Sequence, residues 1–197
     1  MGKKVTIVDY GVGNLSSLSG TLEKLNCSVS VTKNAKDLKN SDLIILPGVG
    51  AFPHAMDKLK ENNLVKTIKK LSINGKYILG ICLGMHLLTE CSNEIKYTKG
   101  LKILPGKIIS FKNNKHNIGW SSIKLLEKKS YFYPLNNKFF YFQHRYLYLG
   151  PSKYKVSTSK DVTSIIKYKN TFGVQFHPEK SQLAGIEFFK ILLEKTK

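Results

Sequence analysis

The sequence predicts an α/β fold with a mixed, largely parallel central sheet flanked by helices. Three observations predict it. Short apolar runs alternate with helical stretches through the first half, the order that builds a parallel sheet covered on both faces. The second half is rich in Tyr, Phe, Ile and Lys and is cut by turn dipeptides, as antiparallel strands are. At Gly80-Ile81-Cys82-Leu83-Gly84 a buried strand passes directly into a helix, with a nucleophile at the turn.

Val5-Thr6-Ile7-Val8 reads as a buried strand that ends at Asp9 and feeds a loop at Gly11 and Gly13. A helix follows from about Leu15 to Leu25, with Leu18, Leu22 and Leu25 on one face. Val29 to Val31 is a short strand. Leu43-Ile44-Ile45-Leu46 is a buried strand, stopped by Pro47-Gly48. One helix is expected next, with Pro53 in its first turn. Its stripe is Met56, Leu59, Leu64, Ile68 and Leu71, and Asn74-Gly75 ends it. Tyr77-Ile78-Leu79-Gly80-Ile81 is another buried strand, and Leu83 to Leu88 is helical. From about Lys102 to Phe176, turn signals at Pro105-Gly106, Asn113-Asn114, Asn136-Asn137, Gly150-Pro151 and Lys169-Asn170 separate several antiparallel strands. A last helix, about Gln182 to Glu194, is expected to carry Leu183, Ile186, Phe189 and Leu193 on one face. No repeat or linker divides the chain, so residues 1–197 read as a single domain.

The formal net charge of +19 invites a nucleic-acid reading, but its composition argues otherwise. Arg145 is the one arginine against 31 lysines, and the lysines are scattered over the whole length. A phosphate-binding stripe is expected to use arginine for its bidentate fork. With 14 asparagines and four alanines, the lysine excess looks like a codon bias, and most of it is expected to be a solvated face. Cys27, Cys82 and Cys91 match no disulfide framework or zinc spacing, so neither a metal nor a cofactor is expected. The N-terminal residues lack a signal peptide's apolar stretch, and no apolar run approaches a membrane span. A cytoplasmic chain with reduced thiols is expected.

Chemistry concentrates at the elbow. The spacing Gly-x-Cys-x-Gly permits a strained backbone at Cys82 by removing side chains that would clash. The sulfur then projects at a helix N-terminus, where the dipole favours a thiolate. The Leu83 amide is left free to serve an oxyanion. Read alone, the motif is equally a buried cysteine between two ordinary glycines. His177-Pro178-Glu179 follows the apolar run Phe172-Gly173-Val174-Gln175-Phe176. In extended chain, residues two apart point the same way, so His177 and Glu179 can supply a base and its orienter. Pro47-Gly48-Val49-Gly50, at the carboxyl end of a neighbouring strand, can bring further amides to the site. It is no P-loop, because no Gly-Lys-Ser/Thr follows.

These residues together resemble the class I glutamine amidotransferases, and among them the glutaminase subunits of imidazole-glycerol-phosphate synthase. The matching segments are Asp9-Tyr10-Gly11-Val12-Gly13-Asn14-Leu15, Leu46-Pro47-Gly48-Val49-Gly50-Ala51-Phe52, Gly80-Ile81-Cys82-Leu83-Gly84-Met85, Ile118-Gly119-Trp120 and Gly173 through Ser181, in the family's order. The resemblance implies a Cys82–His177–Glu179 triad that hydrolyses L-glutamine to glutamate. It implies ammonia passed to a (β/α)₈ synthase in a heterodimer, serving histidine biosynthesis. It places Gly48, Val49, Gly50, Leu83, His86, His144, Arg145 and Tyr146 at the oxyanion and substrate. It places Asn14, Asn117, Trp120 and Ser121 at the partner interface.

Three departures stand out. His86 replaces the family's Gln, His144-Arg145-Tyr146 replaces His-Ser-Tyr, and His116-Asn117-Ile118-Gly119-Trp120-Ser121 replaces Pro-His-Met-Gly-Trp-Asn. They motivate a second reading, a paralogue feeding ammonia to another synthase, for example one that amidates a surface-glycan sugar. Two readings outside this class are a nucleic-acid-binding module, which the dispersed lysines disfavour, and a solitary cysteine hydrolase or redox sensor, which would need no Glu179.

Overall fold

A computed structural model of the chain describes residues 2–11, 13–111 and 116–196. β1 (Lys4–Val8) leads to α1 (Leu15–Glu23), β2 (Ser28–Thr32), β3 (Leu43–Leu46), α2 (Phe52–Glu61), α3 (Leu64–Ile73), β4 (Tyr77–Ile81) and α4 (Leu83–Leu88). Then come β5 (Cys91–Ser92), β6 (Thr98–Lys99), β7 (Lys107–Ser110), β8 (Asn117–Ser122), β9 (Lys124–Leu125), β10 (Phe139–His144) and β11 (Tyr146–Leu149). β12 (Lys155–Ser159), β13 (Val162–Tyr168), β14 (Thr171–Val174) and α5 (Gln182–Lys195) complete the chain.

The main sheet has eight strands in the order β2-β1-β3-β4-β14-β13-β12-β9. The first five are parallel neighbours, and from β14 outward the pairing is antiparallel. The expected mixed sheet is therefore present, with the change of direction at β14. Its central strands are apolar throughout because helices cover both faces. Alternation splits them between two cores. Leu43, Ile45, Leu79 and Ile81 pack with α1 and α5, while Ile44, Leu46 and Ile78 pack with α2, α3 and α4. A two-stranded ribbon, β10-β8, adds Phe140 and Phe142 to the first core. A four-stranded sheet, β11-β7-β5-β6, adds Ile108 and Tyr148 to the second.

Two expectations about helices need correction. The single helix expected after Pro53 is two, because Asn63 takes a left-handed conformation with φ 56° and breaks the path. The step of five from Leu59 to Leu64 is the sign of that break, since one face recurs every three or four residues. In α5 the buried face is Gly185, Phe188, Phe189, Leu192 and Leu193; of the expected stripe it keeps Phe189 and Leu193 but not Leu183, which is 81% exposed. Gly185 sets this rotation, because its Cα packs on the Pro178 carbonyl where any side chain would clash. The Asn113-Asn114 turn and Val12 lie outside the described residues. Among the described residues no helix is long and apolar enough to cross a membrane.

Candidate active site

Cys82 lies between β4 and α4, at the carboxyl end of the parallel strands. Its φ of 48° and ψ of −107° are unusual for a residue with a side chain. Such a conformation costs roughly 1–3 kcal/mol and needs a structure that enforces it. Here the amide of Cys82 donates to Val174 O at 2.7 Å, and its carbonyl accepts from His86 N at 3.1 Å. Glycines make the tight turn possible. A side chain at Gly84 would overlap the Leu46 carbonyl, and one at Gly80 would lie 2.6 Å from the Gly84 carbonyl. Gly48 rests on the elbow itself, and a Cβ there would lie 2.5 Å from the amide nitrogens of both Leu83 and Gly84. The glycine loop after β3 thus touches the nucleophile's turn.

His177 and Glu179 meet beside it. The His177 Nδ1–H donates to Glu179 Oε1 at 2.9 Å, and both side chains are buried. Extended alternation is not what joins them. His177 is extended, but Pro178–Lys180 forms a 3₁₀ turn that curls Glu179 back toward the ring. The His177 amide donates to Tyr141 O and its carbonyl accepts from Ser181 Oγ, at 2.9 and 2.6 Å. Nε2 is buried and, among the described residues, has no hydrogen-bond partner. Burial opposes a charged ring, but the influence of Cys82 and Glu179 outweighs it, so His177 keeps its proton well above the ordinary histidine range.

A cleft of ≈ 260 Å³ opens over Cys82. Gly48, Val49, Gly50, Leu83, His86, His144, Arg145 and Tyr146, all expected at the oxyanion or substrate, line it. Three further residues of the site were not expected there, although Gln175 lies in the apolar run just before His177. Gln143 accepts from Cys82 Sγ through its backbone carbonyl at 3.7 Å. Gln175 places its Nε2 3.7 Å from the same sulfur. Glu94 lines the cleft beyond His86. Burial raises the Glu94 carboxyl, and a bond from the Phe52 amide works against that shift. The Tyr146 hydroxyl is raised by burial and by Glu94, and Arg145 works against that shift; Glu94 and Arg145 both line the cleft, so it holds a carboxyl and a guanidinium. Tyr10, within the segment Asp9 to Leu15, also supports the site. Its buried hydroxyl donates to the Pro47 carbonyl, bracing the glycine loop from behind.

The three histidines near the cleft differ in charge. Burial lowers both His86 and His144 to about 4, so both are neutral near pH 7. His144 donates from Nδ1 to Tyr146 O at 2.8 Å and accepts at Nε2 from Asn117 Nδ2 at 2.9 Å.

Residues expected at a partner interface divide by strand face. On β8, Ile118 and Trp120 point outward and are 63% and 45% exposed. Asn117 turns inward to His144, and Ser121 is buried at 4% exposure, so neither side chain forms the outer face. Period-two alternation makes this division obligatory. Asn14 is exposed and caps α1 by accepting from Ser17 N at 3.3 Å. Trp120 and Phe139 form a shallow apolar groove with Leu183 of α5.

Comparison with known proteins comes down on the same chemistry. The model of the family "glutamine amidotransferase class-I" matches residues 6–190. Imidazole glycerol phosphate synthase subunit HisH 2 of Vibrio vulnificus (strain YJ016) is 38% identical, over 98% of this chain and 95% of the relative. The subunit HisH of Listeria monocytogenes serovar 1/2a is 36% identical over 98% and 96%. That of Bacillus cereus (strain B4264) is 40% identical over 94% and 92%. Among solved structures, PurLQS from Thermotoga maritima superposes with a TM-score of 0.79 at 21% identity over all of both chains.

Proposed function

This chain belongs to the class I glutamine amidotransferases, in the HisH group, and from that membership we propose that it is the glutaminase subunit of an imidazole-glycerol-phosphate synthase. It hydrolyses L-glutamine to glutamate and passes ammonia to a (β/α)₈ synthase partner, which makes imidazole glycerol phosphate and aminoimidazole carboxamide ribotide. The observation that carries the chemistry is the strained Cys82 elbow, which lines the cleft, beside the buried His177–Glu179 pair.

The chemistry proceeds in two halves. The Cys82 sulfur attacks the side-chain amide carbon of glutamine, and the developing oxyanion takes hydrogen bonds from the Leu83 amide and the Gly48–Gly50 loop. His177, holding the thiol's proton, gives it to the departing nitrogen. The C–N bond breaks, ammonia leaves, and a glutamyl thioester remains. Water then loses a proton to His177 and adds to the thioester carbon. The C–S bond breaks and glutamate is released. Glu179 keeps Nδ1 protonated, so that Nε2 is the nitrogen that exchanges protons with substrate. At the far end of the cleft Glu94 offers a carboxylate to the α-ammonium group and Arg145 a guanidinium to the α-carboxylate.

The partner docks on the β8 face where Ile118, at the cleft, and Trp120, at the neighbouring apolar groove, leave large side chains in solvent. The test is glutamate release from glutamine by the chain alone and with its (β/α)₈ partner carrying that partner's ligand. Strong stimulation by the liganded partner is expected, and no glutamate under either condition would overturn the assignment.

A second reading keeps the glutaminase and changes the recipient of ammonia. The observation favouring it is Arg145 at the substrate end of the cleft, where the family carries serine. Complementation separates the two. Growth of a histidine auxotroph lacking its own glutaminase subunit supports the first reading. Failure, together with activity beside a different co-encoded barrel, supports the second.

A further inference from the structure

Next to the triad is a buried polar chain that the mechanism above leaves unused. Gln175 follows β14, is fully buried, and its backbone amide donates to Ser164 O at 3.0 Å. Its side-chain Oε1 lies 2.9 Å from His86 Nε2, and its Nε2 lies 3.7 Å from Cys82 Sγ. His86 is 3% exposed and stands one helical turn beyond Cys82. We propose that Gln175 and His86 are a positioning pair for the nucleophile: the Gln175 amide N–H donates to the Cys82 sulfur, and His86 fixes which end of that amide faces it. The inference rests on Cys82 being the glutaminase nucleophile.

The physical argument turns on the two ends of an amide. A primary amide presents donors on one side and an acceptor on the other, and its neighbours select the orientation. Neutral His86 has one ring proton to place. With that proton on Nε2, the ring donates to Gln175 Oε1 and the amide N–H faces sulfur. With it on Nδ1, the Nε2 lone pair would draw the amide N–H to itself, and the carbonyl would face a thiolate. Sulfur is then served in both of its states. The thiol proton points to the Gln143 carbonyl at 3.7 Å, and the thiolate receives the Gln175 N–H. His86 therefore acts through Gln175 rather than by holding glutamine. This recasts the departure from the family's glutamine at position 86, since a glutamine side chain also carries an N–H donor.

The test is alkylation of Cys82 by iodoacetamide as a function of pH, read by mass spectrometry on the Cys82 peptide so that Cys27 and Cys91 do not contribute. Gln175→Met and His86→Leu are each expected to move the reactivity midpoint to higher pH by about one unit, as loss of a donor to the charged form does. In the complex with the partner each is expected to lower kcat by roughly tenfold, with KM for glutamine near the parent value. His86→Gln is expected to recover most of what His86→Leu loses. The His86→Leu/Gln175→Met double variant is expected to shift no further than Gln175→Met, because the two residues act as one unit. If Gln175→Met fails to fold, isosteric Gln175→Glu sets a carboxylate against sulfur and must raise the midpoint further. An unmoved midpoint in a folded Gln175 variant overturns the proposal. So does a His86→Leu enzyme that raises KM with no change in midpoint, which would make His86 a substrate ligand. Alkylation needs no glutamine, so its outcome is independent of whether the glutaminase assignment holds.

Discussion

Glu179 reaches His177 from only two residues away, with Oε1 2.9 Å from Nδ1, because a 3₁₀ turn at Pro178 folds the carboxylate back under the ring. The bond leaves Nε2 as the free nitrogen on the side of Cys82, and both side chains are buried. A short local turn thus sets which ring nitrogen faces Cys82.

Replacing that carboxylate tests the arrangement. Glu179→Gln keeps the shape but removes the charge that holds the imidazolium. Glutamine turnover in the complex is expected to fall by roughly 10²-fold or more, chiefly in kcat. Turnover within twofold of the parent would separate Glu179 from the chemistry.

The far end of the cleft is expected to read the substrate's α-groups. Glu94→Gln and Arg145→Met each remove one charge-assisted hydrogen bond, of about 1.5–3 kcal/mol, and are expected to raise KM for glutamine by roughly 10- to 100-fold. Steady-state kinetics with glutamine checks this, and an unchanged KM in both variants would place the α-groups elsewhere.

Acid is expected to weaken the fold through His86 and His144. Both are lowered by burial to about 4, whereas an unfolded histidine titrates near 6.5. Above that window neither state binds the proton, and below it both do. Within it only the unfolded chain is protonated, so stability falls as pH falls from about 6.5 to about 4, by up to about 1.4 kcal/mol per pH unit per histidine. Urea unfolding between pH 4 and 7 measures the slope. A His86→Gln variant should flatten it by one proton's share, and an equally steep slope would contradict the assignment.

Gly48 is expected to tolerate no side chain. Gly48→Ala forces a methyl group against the Ile81 carbonyl and to 2.5 Å from the Leu83 and Gly84 amides. Overpacking of this kind costs about 1–3 kcal/mol, and the loop must move off the elbow. A urea-unfolding loss of that size is expected, together with a sharp drop in glutaminase rate. Parent-like stability and activity would show that the loop contact is dispensable.

Much of this was legible because it is local. Four consecutive buried residues in β3, and five apolar or small ones in β4, announce central parallel strands, and Gly80-x-Cys82-x-Gly84 announces the turn that follows. What was misread depends on tertiary partners. Leu183 belongs to an apolar stripe by spacing, yet the packing of Gly185 on Pro178 rotates it into solvent. Ser121 was expected at a partner interface, yet strand alternation turns its side chain inward. The residues missed at the site, Glu94, Gln143 and Gln175, come from three separate segments that only the fold brings to one sulfur or one cleft. No spacing rule joins Glu94 or Gln143 to the sulfur, whereas Gln175 lies two residues before His177 in the same run.

The measurement that bears most directly on the account is glutamine hydrolysis by Cys82→Ala in complex with the partner synthase. The expected result is no glutamate above the enzyme-free blank, from a variant whose thermal unfolding matches or exceeds the parent's, since alanine removes the nucleophile without adding bulk. Glutamate release at the parent rate would contradict the central claim that this sulfur performs the reaction.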